Sequence, residues 1–165
     1  EDSKTLNIDG TDTVTFLIST NAGEPLKELA KVASGGELSR IMLALKKIFA
    51  KHDQIGTVIF DEIDTGVSGR VAQSIAEKMY QISTSTQVLC ITHLPQVAAM
   101  SDQHLLIEKN TINNRTSTSI KDLNEKEKIH ELGRMMTGAT LTETAIEHSE
   151  QLLSLTKSFK EKVNV

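Results

Sequence analysis

Apolar residues fall along this chain with two alternating periods, and the alternation predicts its elements in order. Asp9-Gly10 marks a turn, and Thr13-Val14-Thr15-Phe16-Leu17-Ile18 predicts a strand ending at the Asn21-Ala22-Gly23 loop. Pro25 and Lys27 lead into a short helix or loop that closes near Ser34. From Glu37 onward Leu38, Ile41, Met42, Leu45, Ile48 and Phe49 recur at helical spacing, which marks an amphipathic helix. Thr57-Val58-Ile59-Phe60 is short, β-branched and bounded by Gly56 and a cluster of acids, so it predicts a buried strand. A second helix follows over about residues 69–83, with Val71, Ile75, Met79 and Ile82 on one stripe. Val88-Leu89-Cys90-Ile91-Thr92 predicts a further strand that stops at His93.

Leu105-Leu106-Ile107 and Thr116-Ser117-Thr118-Ser119-Ile120 flank Asn113-Asn114, the pattern of an antiparallel hairpin. Two closing helices carry Ile129, Leu132, Met135 and Met136, then Leu141, Ala145, Ile146, Leu152 and Leu153, with Gly138 between them as a C-cap. Strands alternating with helices imply an α/β fold with a mostly parallel sheet flanked by helices, and a β-hairpin toward the C-terminal side. Functional groups then gather at the carboxyl ends of the strands.

Composition narrows the function classes. A length of 165 residues fits one domain, and 38% hydrophobic content argues against a disordered chain. The net charge of −4 argues against a generally basic, DNA-coating domain. No apolar run approaches the roughly 20 residues that span a bilayer. Cys90 is the single cysteine, so no intrachain disulfide forms, and no Cys/His pair has zinc-site spacing. Glu1-Asp2-Ser3-Lys4 carries no apolar targeting segment. The expectation is a soluble cytosolic domain.

Three segments carry chemistry. In Ala33-Ser34-Gly35-Gly36-Glu37-Leu38-Ser39-Arg40, Ser34 and Glu37 have capping-box spacing. A cap leaves Gly35 and Gly36 unexplained, because glycine in a helix costs about 1 kcal/mol relative to alanine. Bare backbone amides at a helix N-terminus make an anion site instead, and both readings stay open. In Phe60-Asp61-Glu62-Ile63-Asp64, three carboxylates within four residues repel one another unless they lie in solvent or beside a cation. Asp61 suits Mg²⁺, directly or through water, and Glu62 suits a general base acting on water; the alternative is an acidic loop after a strand. In Ile91-Thr92-His93-Leu94-Pro95, His93 leaves its strand at the same sheet edge, where it can donate to a phosphate oxygen or hold a nucleophilic water. A structural histidine is the plainer alternative. His52, His104, His130 and His148 follow no pattern and are expected at the surface, and Arg40 and Arg70 are expected to pair with surface carboxylates.

Taken in order, these segments resemble the C-terminal half of an ATP-binding-cassette ATPase head of the kind found in SMC-like DNA-repair proteins, within that group the RecN-like family. The residues that carry the resemblance are 32–40, 58–69 and 87–99, and it runs from about residue 9 to the last helix, nearly the whole of residues 1–165. It implies that Ser34, Gly35, Gly36 and Glu37 form the signature motif, which contacts the γ-phosphate of a nucleotide held by a second head. Asp61 then stands at the Walker B aspartate and binds Mg²⁺, Glu62 is the catalytic glutamate, and His93 is the switch histidine. Thr65, Gly66, Val67 and Ser68 occupy the D-loop. Two departures stand out: Ala33 where many such proteins have leucine, and Ser68 where the usual D-loop has aspartate.

The sequence contains no G-x-x-x-x-G-K-S/T phosphate loop and no Gly-Lys dipeptide. The resemblance places that loop in an N-terminal half, beyond a long coiled coil, so the chain is expected to be a fragment that binds ATP weakly or not at all by itself. The implied partners are the N-terminal half of the same polypeptide, a second head in a homodimer and DNA, with no membrane. The implied setting is a cytoplasmic, nucleoid-associated bacterial protein of DNA repair and recombination, using ATP and Mg²⁺. Rival readings are another SMC-like or ABC-family head, a transporter subunit, and a non-catalytic dimerisation or DNA-contact module. A transporter subunit would carry Gln where Glu37 stands. An α/β domain with chance motifs leaves their order unexplained.

Overall fold

In the computed structural model the described residues are 8, 10, 12, 14–19, 23–32, 35–49, 55–61, 63–112, 115–138 and 140–163. They form β1 (Leu17–Ile18), β2 (Lys27–Glu28), α1 (Leu29–Val32), α2 (Gly35–Phe49), β3 (Thr57–Phe60), α3 (Gly69–Ser83), β4 (Gln87–Cys90), α4 (Pro95–Ala99), β5 (Leu105–Ile112), β6 (Arg115–Asp122), α5 (Glu125–Thr137) and α6 (Glu143–Val163). The chain divides into two units, Glu1–Ser34 and Gly35–Val165.

The first unit holds a two-residue antiparallel ladder, Leu17 opposite Glu28 and Ile18 opposite Lys27. The Leu29 amide then donates to the Phe16 carbonyl at 2.9 Å as α1 begins. Of the strand expected over residues 13–18, Thr13 lies outside the described residues, and among the others Leu17 and Ile18 form the strand. Val14, Phe16 and Leu17 are exposed, and a short ladder without a covered apolar face gives a longer strand nothing to pack against.

In the second unit, β3 and β4 pair in parallel with Val58 opposite Val88 and Phe60 opposite Cys90, and α3 connects them. Alternation along a strand sends Val58, Phe60, Val88 and Cys90 to one face. There they join Leu43 of α2, Ile75, Met79 and Ile82 of α3, and Val97 and Met100 at α4 in the main core. The first of these strands was expected to be buried. One face instead stays open, with Ile59 65%, Leu89 46% and Ile91 57% exposed, because helices cover a single side of this pair. The mixed α/β architecture is as expected, with parallel pairing among the described residues confined to β3 and β4.

The hairpin β5–β6 runs Leu105 opposite Asp122 through Ile112 opposite Arg115, longer than its apolar positions implied. Asn124 and Glu127 form a capping box at the start of α5, with Glu127 N donating to Asn124 Oδ1 at 3.1 Å and Asn124 N to Glu127 Oε2 at 3.0 Å. Gly138, at φ 82°, ends α5 by donating to the Arg134 carbonyl, as its position between the closing helices predicts. A second cluster of Ala98, Ala99 and Leu132, with Met135, Leu152 and Leu153 against it, seals α4 to α5 and α6. Among the described residues no helix is long and apolar enough to cross a membrane.

Candidate functional site

The site is the carboxyl edge of the β3–β4 pair. Parallel pairing brings both strands out at the same edge, and the Ile91 amide extends the ladder by donating to the Phe60 carbonyl at 3.0 Å. Asp61, the next residue on β3, is exposed at the strand's tip. His93 leaves β4 at the same edge, three residues past Cys90. The structure thus brings together the two groups that the strand pattern assigned to one edge.

The chain turns sharply after Asp61. Ile63 is fully buried in the core, and its neighbour Asp64 is carried inside with it, 2% exposed. A buried carboxylate costs several kcal/mol unless donors replace its water. Two donors meet Asp64 Oδ2, the Thr92 hydroxyl and the His93 amide at 3.0 Å, and His93 Nδ1 stands 3.2 Å from the same oxygen. Thr92 Oγ1 in turn accepts from the Leu94 amide at 3.0 Å. One buried side chain on the β3 exit therefore fastens the whole β4 exit. Sequence reasoning gave Asp64 no role. The signal available was an apolar Ile63 between acids, which pulls the turn inward.

The turn is also held from α2. Arg40 Nη1 donates to the carbonyls of Ile63 at 3.3 Å and Thr65 at 3.0 Å. This corrects the expected carboxylate pairing of Arg40: its partners are two backbone oxygens that the tight turn leaves without ladder partners. Thr65, Gly66, Val67 and Ser68 complete the turn, with Gly66 at φ 72°, a conformation that favours glycine, and Val67 N donating to the Asp64 carbonyl at 3.3 Å. The glycine pair opens α2 as expected. Gly35 is its first residue, Gly36 is buried, and Arg40 lies on the next turn of the same helix. Ser34 and Glu62 lie outside the described residues, as does the side chain of Glu37.

The edge is electronegative. The Cys90 thiol is pushed up to about 12, first by burial and then by the negative charges of Asp64 and Asp61. Among the described residues no three His, Cys, Asp or Glu gather around one point. A magnesium ion on phosphates needs few protein carboxylates, so an exposed Asp61 within this negative field fits one. Away from the edge, His104 departs from its expected surface placement. It is half-buried, its Nδ1 is buried without a hydrogen bond, and its pKa is lowered by burial and by the Lys128 ammonium.

No protein-family model matches the chain. Curated relatives do, among them the DNA repair protein RecN of three bacteria. That of Halalkalibacterium halodurans is 56% identical over 160 residues, covering 97% of this chain and 28% of the relative. That of Bacillus subtilis is 59% identical over 144 residues, covering 87% and 25%. That of Treponema pallidum is 46% identical over the same length, again covering 87% and 25%. The chain thus spans about a quarter of the length of the relatives it matches. Among solved structures, one from a study of ATP-driven dimerisation and DNA-stimulated activation of SMC ATPases aligns with TM-score 0.49 and 20% identity, over 72% of this chain and 71% of that one.

Replacing Arg40 with Ala removes two charge-assisted hydrogen bonds from the turn at residues 63–65, which should lower stability by about 1–2 kcal/mol. Urea unfolding reads the loss, and amide exchange at residues 63–67 should quicken beyond the global change. Exchange quickening evenly across the chain would mean that Arg40 does not brace this turn. For Cys90 the folded pKa lies above its unfolded value of about 8.5, so burial keeps the thiol protonated while the unfolded chain ionises. Stability from this group is present below about pH 8.5 and declines as pH rises toward 12. At about pH 8, iodoacetamide should alkylate Cys90 at least ~100-fold more slowly in the folded chain than in urea. Equal rates would place the thiol in solvent.

Proposed function

We propose, on the premise that this chain belongs to the RecN family over the stretch it shares with those relatives, that it is part of an ATP-hydrolysing head of a bacterial DNA repair protein. The observation that carries the reading is the parallel exit of β3 and β4, which sets Asp61 and His93 on one edge and joins their loops through Asp64. In the proposed head, Asp61 holds Mg²⁺ and Glu62 takes a proton from the attacking water. When bound, the ion supplies positive charge against the phosphates. His93 stands beside the terminal phosphate.

The amides of Gly35 and Gly36, with Ser34 and Glu37, face the γ-phosphate of a nucleotide carried by a second head, and Thr65 to Ser68 line the contact between heads. Two such heads enclose two ATP molecules, and hydrolysis reopens them, coupling turnover to the holding or release of DNA. The phosphate-cradling loop comes from the N-terminal half of the same polypeptide. Its strands are also the proposed cover for Ile59, Leu89 and Ile91, whose exposure leaves one apolar face of β3–β4 open. The setting is cytoplasmic and nucleoid-associated.

In the full-length protein, Glu62→Gln should keep ATP binding and slow turnover by about two orders of magnitude or more, the scale of a lost general base. Turnover near wild type would remove the base from Glu62. The present chain alone should bind a fluorescent ATP analogue weakly or not at all, and micromolar affinity in a titration would refute the need for the second half.

A further inference from the structure

We infer that Asp64 is a positioning residue for His93: its buried carboxylate holds the proton of the neutral imidazole on Nδ1 and leaves Nε2 bare, so the ring meets water as an acceptor. The inference deepens the proposed ATPase reading, on which it rests only for what stands opposite Nε2. The tautomer itself follows from the geometry. An ionised carboxylate oxygen accepts hydrogen bonds and donates none. Asp64 Oδ2 already draws the Thr92 hydroxyl and the His93 amide, and His93 Nδ1 is its third neighbour at 3.2 Å.

A bare Nδ1 would set one lone pair against another beside a side chain that is 3% exposed, where water cannot intervene. A proton on Nδ1 turns the same close contact into an attraction between a positive N–H and the carboxylate. The histidine side chain is 71% exposed, so the edge bearing Nε2 is free to meet a ligand. The backbone bond from the His93 amide to the same oxygen restricts the ring further, because the main chain and the side chain of one residue share one anchor.

The consequence is chemical. In the neutral form Nε2 carries a lone pair, so it accepts from a water molecule and has no proton to offer a phosphate oxygen. Of the two roles open to a histidine at this edge, the structure favours holding water. A carboxylate that orients an imidazole so that its other nitrogen faces the reacting group is the general arrangement for an oriented base.

The test reads the proton directly. With ¹⁵N-labelled histidine in this chain at mildly alkaline pH, two-bond ¹⁵N–¹H correlations report each ring's protonation and tautomer, and His93→Gln assigns the signal. His93 should be mostly protonated on Nδ1, and Asp64→Asn should move the majority to Nε2, the form free histidine prefers. Thr92→Val removes one donor but leaves the carboxylate beside Nδ1, so the proton should stay there. A wild-type ring protonated on Nε2 overturns the inference even if Asp64→Asn fails to fold, and so does an unchanged ring in a folded Asp64→Asn chain. In the full-length protein Asp64→Asn should lower kcat about 10–100-fold, with KM for ATP changing about threefold or less. An unchanged kcat would remove the water-holding role. The tautomer is read without nucleotide, so an intact wild-type protein that fails to hydrolyse ATP would overturn the ATPase reading and leave the Nδ1 assignment standing.

Discussion

A carboxylate that is 2% exposed is a severe constraint, and the arrangement around it follows from meeting that constraint at Asp64. Its hydration is lost, so the fold must supply donors, and it draws them from consecutive residues at the exit of the neighbouring strand. Thr92 and His93 are held to the turn after β3 more tightly than strand pairing alone would hold them, because the ladder ends with the Ile91 amide. Ile63 makes the burial necessary, since anchoring this side chain in the core drags the next residue in. Arg40 makes the turn compatible with it by satisfying the carbonyls on either side of Asp64. A site that depends on the aim of one imidazole gains from such support, since side chains locked by packing and outer hydrogen bonds keep their geometry.

The strand–helix–strand unit was legible because its signals were local and agreed with one another. Gly56 and the acid cluster bound β3, and the apolar stripe with Gly69 at its start bounds α3, so both elements fall where the pattern puts them. The hairpin was legible in kind and too short in extent. Residues such as Asn110 and Ser117 continue the ladder while exposed on both sides, so they carry no alternation to read. The apolar run of β3 implied cover on both faces. That inference concerns the neighbours of a strand, and a sequence window holds no information about which neighbours are present. The run at residues 13–18 falls short for the related reason that β propensity without a partner face leaves, among its described residues, Leu17 and Ile18 paired in β1.

At the site the same division holds. That Asp61 and His93 share an edge was legible, because alternating strands and helices imply parallel pairing, and parallel strands end on one side. The work of Asp64 was not legible, since an acid in a run of acids reads as solvated surface until the depth of Ile63 is known. Arg40 misled for a similar reason: guanidinium–carboxylate pairing is a sound surface rule, but a tight turn presents unpaired carbonyls that compete for the same donor. His104 was assigned to the surface from its lack of pattern, while its half-buried state comes from hairpin and helix packing distant in sequence.

The position of His93 is fixed from its far side as well. Leu94 caps α4, a short helix that ends at Ala99, and a helix this short leaves several carbonyls without helical partners. The Ser101 carbonyl, just past its end, accepts from two ammonium groups, Lys128 of α5 at 2.8 Å and Lys160 of α6 at 3.1 Å. Two cations on one oxygen repel each other, and the Lys128 pKa is lowered accordingly, by burial first and by Lys160 second. The pairing persists because Lys160 also meets the Asp102 carboxylate at 2.6 Å and lies 4.9 Å from the centre of the Tyr80 ring, which spreads its charge over other partners. Cations at a helix's C-terminal end are favoured by the carbonyl dipoles, so the clamp and the short helix support each other. The segment from Thr92 to Ser101 is therefore pinned at both ends, to β3 through Asp64 and to the two closing helices through Lys128 and Lys160. A displacement of the imidazole would have to break a buried charged contact at one end or carry α4 with it at the other.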